Sequence, residues 1–126
     1  MKKIYNFDKL VVEYNRFSLS SWIAYCNGRN AFLYVVRLYN KEEDFIKVGR
    51  TCKPIRERLS NVPYEWDLVY ADYLSPVKSF KKEAEIHSLL KPLHSYFPKI
   101  PFSGMTECYT LDVVFILSEL LNFQNI

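Results

Sequence analysis

Hydrophobic and polar residues follow two rhythms along this chain. From Pro76 to Lys91 (PVKSFKKEAEIHSLLK) the spacing is that of an amphipathic helix. At about 100° per residue, Val77, Phe80, Ala84, Ile86, Leu90 and Leu93 fall on one apolar arc. Lys78, Lys81, Lys82 and Glu85 fall on the opposite arc. Glu83 and His87 land inside the apolar arc, one turn apart and therefore neighbours. A carboxylate aimed at a core costs several kcal/mol unless it is paired, hydrogen-bonded or bound to a metal. The helix is expected to end near Pro92, which cannot donate to the helix ladder.

The second rhythm is that of strands. Ala31 to Tyr39 (AFLYVVRLY) is β-branched and aromatic throughout, as in a strand buried on both faces. Asn40 to Asp44 is a polar turn, and Phe45 to Thr51 (FIKVGRT) reads as the returning strand of a hairpin. Asp67 to Leu74 (DLVYADYL) is a third strand. Between them Pro54 opens a helix with Ile55, Leu59 and Val62 as its stripe. Residues 7–26 carry helical periodicity, with Ser18 to Ser21 expected to interrupt it and Asn27-Gly28 to end it. Residues 93–102 hold two prolines, Pro98 and Pro101, and are irregular. Thr110 is expected to cap a last helix whose core face is Val113, Val114, Leu117, Leu120 and Leu121. The order α, β, β, α, β, α, α predicts an α+β fold, a small three-stranded antiparallel sheet flanked by helices with an added N-terminal helical segment.

Composition narrows the class. At 126 residues the chain suits one domain with a real core, and no linker or repeat divides it. Three Gly leave no material for a Gly-rich phosphate loop. An odd count of scattered Cys (Cys26, Cys52, Cys108), with no CxxC or HxxxH pair, speaks against disulfides and zinc and for a reducing compartment. No leader or membrane span is visible, so no membrane partner is expected. A net charge of +3 permits a polyanionic partner without demanding one.

Each candidate residue has a plain reading beside a chemical one. Gly49 lies inside a strand, where glycine marks a bulge or a close approach. Strand parity puts Phe45, Lys47 and Gly49 on one face, so Lys47 meets whatever approaches there, although a lone strand lysine is usually solvated. Arg56 and Arg58 flank the stripe of the short helix, and a guanidinium beside a sheet suits a phosphate. Tyr34 is a core tyrosine or a hydroxyl at a site. Glu107 precedes the last helix and could serve its N-terminal dipole.

The order of these pieces is more specific than any one of them. FLYVV, KVGRT, IRERL, EAEIH and TECY, in that succession, resemble the GIY-YIG nuclease superfamily. The resemblance is to the phage and bacterial branch in which KIG or KVG stands for the second YIG motif. It covers about residues 31–110 and leaves residues 1–30 as an N-terminal helical extension of a single 1–126 domain. Leu33-Tyr34 matches the end of GIY, with Phe32 in place of its glycine, and Lys47-Val48-Gly49 occupies YIG. Arg58, Glu83, His87 and Glu107 match the family's arginine, metal-binding glutamate, histidine and last glutamate.

The resemblance implies metal-dependent hydrolysis of phosphodiesters in nucleic acid, with DNA as the first expectation. One divalent ion, Mg²⁺ or Mn²⁺, is held mainly by Glu83. Tyr34 or Lys47 helps deprotonate the attacking water, Arg58 stabilises charge on phosphorus, and His87 orients Glu83 or carries a proton. Gly49, Arg50 and Lys53 then meet the substrate. The setting implied is the cytoplasm of a bacterial cell or phage-infected host. The competing reading is a non-catalytic nucleic-acid-binding or inhibitory protein with a degraded site. A third is a structural domain in which Glu83 merely pairs with Lys47 or Arg58.

Overall fold

A computed structural model of the chain describes residues 19–124. Helical residues 19–26 (α1) lead through Asn27 and Gly28, both at positive φ (50° and 81°), into the sheet. Strands β1 (Ala31–Tyr39) and β2 (Asp44–Thr51) form the hairpin. Then come α2 (Ile55–Arg58), β3 (Glu65–Leu74), α3 (Pro76–His94), a 3-10 turn at Met105–Glu107, β4 (Cys108–Thr110) and α4 (Val113–Leu121). The sheet is antiparallel in the order β3-β1-β2-β4.

The sheet thus has four strands, not the expected three. The fourth is the three-residue segment Cys108–Thr110, which pairs with Phe45, Ile46 and Lys47. So short a run has no period of its own. It forms because the edge of β2 offers unpaired backbone groups. Thr110 is therefore a strand residue rather than a helix cap, and Asp112 takes the cap position of α4.

Three further boundaries differ from the pattern. The helix after Pro54 stops at Arg58, and Leu59 and Val62 follow in turns. Pro63 keeps Val62 out of the helix, since a residue before proline is pushed out of the α region. Helix α3 runs through Pro92 to His94. A proline in the last turn forfeits only one ladder bond, and the chain beyond it is anchored by Tyr96 N–H donating to Cys108 O at 3.0 Å. Strand β3 starts at Glu65, ahead of the expected Asp67. Ser20 and Ser21 lie within α1 rather than interrupting it, and the periodicity over residues 7–18 lies outside the described residues.

Both faces of the hairpin are buried, as its unbroken apolar runs require. Leu33, Val35, Ile46 and Val48 pack against Ile86 and Leu90 of α3, and against Val113 and Leu117 of α4. On the opposite face Tyr34, Val36, Leu38 and Phe45 pack with Leu59 and Tyr64. The start of α3 is built by Ser75, whose hydroxyl accepts from Lys78 N–H at 3.2 Å, and by Pro76 at its first position. Its buried residues are Ser79, Phe80, Glu83, Ile86 and Leu90, while Val77 and Leu93 of the expected arc are exposed. Trp22 of α1 docks on this helix, its Nε1 donating to Pro76 O at 3.1 Å and lying 3.2 Å from Ser79 Oγ.

Candidate active site

The site is built where β4 runs out. Cys108 pairs with Lys47, so beyond Lys47 the edge of β2 has no strand beside it. The Met105–Glu107 turn wraps that edge, and side chains from both faces of the sheet meet across it.

One half of the site comes from the Tyr34 face. Lys47 is fully buried, which sets aside the solvated reading of a strand lysine. Its Nζ donates to the Tyr34 hydroxyl at 3.0 Å and lies 3.8 Å from Glu107 Oε1. Burial alone would push the Lys47 pKa down, but Glu107 and the Tyr34 oxygen outweigh it and hold it above the usual lysine value. An ammonium so held is a cation at neutral pH and a poor proton acceptor. Gly49 forms no bulge: the register beside it is regular. What approaches it is internal. A Cβ built there would sit 2.5 Å from the Tyr34 hydroxyl and 2.8 Å from Lys47 Nζ. The missing side chain is the space in which those two groups meet. Gly104 does the same on the other side of the lysine, at φ 94° and with its virtual Cβ 2.9 Å from Lys47 Cε.

The other half comes from α3. Glu83 is buried, as its position on the apolar arc predicts, while Glu85 is exposed. Its compensating partner is Arg50, whose Nη1 donates to Glu83 Oε1 at 2.5 Å. Neither Lys47 nor Arg58 supplies that pair. Parity explains the choice. Arg50 shares a face with Ile46 and Val48, the face that α3 covers, whereas Lys47 points to the other. The guanidinium is sandwiched by aromatic rings, 4.6 Å from the centre of Trp22 and 4.4 Å from that of Phe80. Arg50 thus has an internal carboxylate partner, while its buried Nε has no hydrogen-bond partner.

His87 bridges the halves. Its Nε2 lies 3.8 Å from Glu83 Oε1 and 3.6 Å from Glu107 Oε2, and its Nδ1 hydrogen-bonds the Tyr109 hydroxyl. That hydroxyl can donate or accept, so it steadies either tautomer and fixes the ring. Burial keeps Tyr109 protonated far into the alkaline range. Neither Tyr109 nor Trp22 carries a signal in the sequence beyond being one more aromatic residue.

The two carboxylates are held differently. Burial pushes the Glu83 pKa up, and the Arg50 charge does not cancel it. Glu107 feels burial too, but the His87 ring 3.6 Å away and the charges of Lys47 and Arg58 win and hold it below the usual carboxylate value. Arg58 is half-buried at the end of α2 and reaches this cluster by charge. Lys53 is exposed, with Glu57 4.0 Å away.

Glu83, His87 and Glu107 form the group that could hold a metal among the described residues, with one ligand atom from each lying within 4.8 Å of the others. The donor set fits a hard divalent ion, which needs one or two carboxylates and keeps waters for the rest. Two buried atoms of the group, Glu83 Oε2 and His87 Nε2, have no hydrogen-bond partner. Such atoms cost free energy unless something binds them. The three cysteines are free thiols and take no part in the group. No helix among the described residues is long and apolar enough to cross a membrane.

Comparison with curated proteins and with solved structures found no match to this chain. A family model, the T5orf172 domain, matches residues 31–116, from the start of β1 into α4. That span contains every residue of the cluster and more than half of the chain. The chain belongs to the T5orf172 domain family, a nuclease-like domain of phages and bacteria.

Proposed function

We propose that this protein is a metal-dependent endonuclease of the GIY-YIG type that hydrolyses phosphodiester bonds in nucleic acid, DNA first. The observation that carries the reading is the convergence of Glu83, His87 and Glu107 with two unpartnered buried ligand atoms between them. Glu83, supported by His87 and Glu107, would hold one Mg²⁺ or Mn²⁺, which when bound supplies Lewis-acid polarisation of a phosphoryl oxygen and a more acidic water.

The chain's own residues do the rest. Tyr34 orients the attacking water through its phenol oxygen, the water's proton leaves to solvent, and the Lys47 ammonium offsets the negative charge left on the water oxygen. Lys47 acts as a fixed cation and not as the base. Arg58 meets the charge that builds on phosphorus. His87, with Nδ1 held by Tyr109 and Nε2 turned toward both carboxylates, would complete the donor set and keeps Glu83 and Glu107 in register. Glu107, a quarter exposed, and His87 are the members nearest solvent, so the phosphate enters from their side. Lys53 lies on the surface where it can steer the backbone, and Gly49 keeps the floor open for Tyr34 and Lys47.

One observation favours a second reading. Glu83 already has a cation at 2.5 Å in Arg50, which a purely structural buried ion pair would also show. That reading gives a nucleic-acid-binding or inhibitory protein without catalysis. Supercoiled DNA, single-stranded DNA and RNA, each incubated with Mg²⁺ or Mn²⁺ and with EDTA, separate the two. Ion-dependent cleavage of any of them supports the enzyme. Binding without cleavage under every condition sinks it.

A further inference from the structure

Phe32 stands where the resembling family has glycine, and the fold gives that residue a surface. It lies on β1 two residues before Tyr34, hence on the same face of the sheet. Across the β1–β3 ladder it faces Tyr73, and the two rings pack with centroids 4.7 Å apart at an interplanar angle of 44°. Tyr73 is 55% exposed, the most exposed large aromatic on β3. Ala71, which pairs with Tyr34, extends the same face from Tyr73 with nothing larger than a methyl.

We infer that the Phe32–Tyr73 pair is a stacking platform for an unpaired nucleobase, placed about one nucleotide from the cleavage centre, so that the substrate is single-stranded or locally unpaired nucleic acid. This rests on the nuclease reading and adds its substrate class. Residues i and i+2 of a strand are roughly 6.6 Å apart, which sets the ring surface beside the Tyr34–Lys47 centre rather than at a distant patch. Charge agrees with the assignment. Phe32 pairs with Thr51 on its other side, and Thr51 Oγ1 accepts from Lys53 N–H at 3.1 Å, which seats the exposed Lys53 at the same end of the sheet. Arg56 is exposed one turn further on. An aromatic face flanked by cations is how single strands are held, bases on the rings and phosphates on the charges. A base inside a duplex has both faces covered by its neighbours and cannot use the platform.

The test measures binding by fluorescence anisotropy in EDTA, so that no cleavage intervenes. The probes are a short labelled DNA single strand, its duplex, and the same strand with abasic sites. Wild type is expected to favour the base-bearing strand over the abasic strand by about tenfold, the scale of one stacked base. Tyr73→Ala should collapse that preference, and Tyr73→Phe should keep it, since the ring and not the hydroxyl does the work. Tyr73 is a surface residue, so both variants should fold. Equal affinity for abasic and base-bearing strands, or an unaltered preference in Tyr73→Ala, overturns the platform while leaving duplex binding to support the nuclease reading. Wild-type protein that binds none of the three probes overturns both.

Discussion

Replacing Glu83 by glutamine probes fold and chemistry together. Considered alone, an inward carboxylate is a burden, and its removal would leave stability equal or higher. The Arg50 contact reverses that sign. Taking one partner from a buried ion pair leaves an uncompensated charge and costs about 3–5 kcal/mol. Two features reduce the figure here. The Arg50 side chain is 23% exposed, so water screens part of its charge, and the glutamine oxygen can still accept from Nη1. A loss of about 1–2 kcal/mol is therefore expected, or a melting midpoint lower by roughly 3–8 °C for a domain of this size. A saturating divalent ion should raise the wild-type midpoint, because a ligand at 100 times its Kd stabilises by about 2.7 kcal/mol. Glu83→Gln should lose most of that increment and most plasmid nicking, since an amide is a poor ligand for a hard cation. Glu85→Gln, on the exposed face of the same helix, should change stability by no more than about 0.5 kcal/mol and leave nicking intact. A Glu83→Gln protein that nicks at the wild-type rate and keeps its ion-dependent shift would refute the reasoning, as would an inactive Glu85→Gln.

Three further outcomes follow from particular contacts. Gly49→Ala places a methyl in the space shared by the Tyr34 hydroxyl and Lys47 Nζ; it should cost about 1–3 kcal/mol in denaturant titrations and suppress cleavage, and a neutral result would mean the two side chains move aside freely. Lys47→Met keeps the buried stem but removes the charge facing Glu107; nicking should fall at least tenfold with the fold retained by circular dichroism, whereas wild-type turnover would reduce the lysine to packing. Glu43, buried at the hairpin turn, accepts from the Tyr64 and Tyr96 hydroxyls at 2.6 and 2.7 Å and from Lys99 N–H at 2.9 Å. Burial raises its pKa, but those three donors overcome this and hold it below the usual value. A depressed folded pKa gives stability that is present above the unfolded value of about 4.3 and lost as pH falls through the folded one. Urea midpoints should drop across that acid window in wild type and drop less in Glu43→Gln; parallel curves would remove Glu43 from the account.

Local periodicity determined much of this protein. The helical rhythm of residues 76–91 sends Glu83 inward beside His87 and Glu85 outward, and the structure keeps that orientation. Alternation over residues 45–51 groups Lys47 with Gly49, because side-chain direction in a strand depends only on parity. The same parity held an unused signal, for it sends Arg50 to the opposite face. What tertiary structure alone decided are the pairings between distant segments. That Arg50 meets Glu83, 33 residues away, depends on how α3 lies across β2, and no local pattern encodes a crossing. That Lys47 is buried depends on the Met105–Glu107 turn and Gly104 closing over it. The fourth strand is the plainest case. Cys108–Thr110 has no strand signature of its own and exists only because β2 presents an edge to pair with. Where that short strand begins, the edge opens, and there Glu107 comes to face both Lys47 and His87.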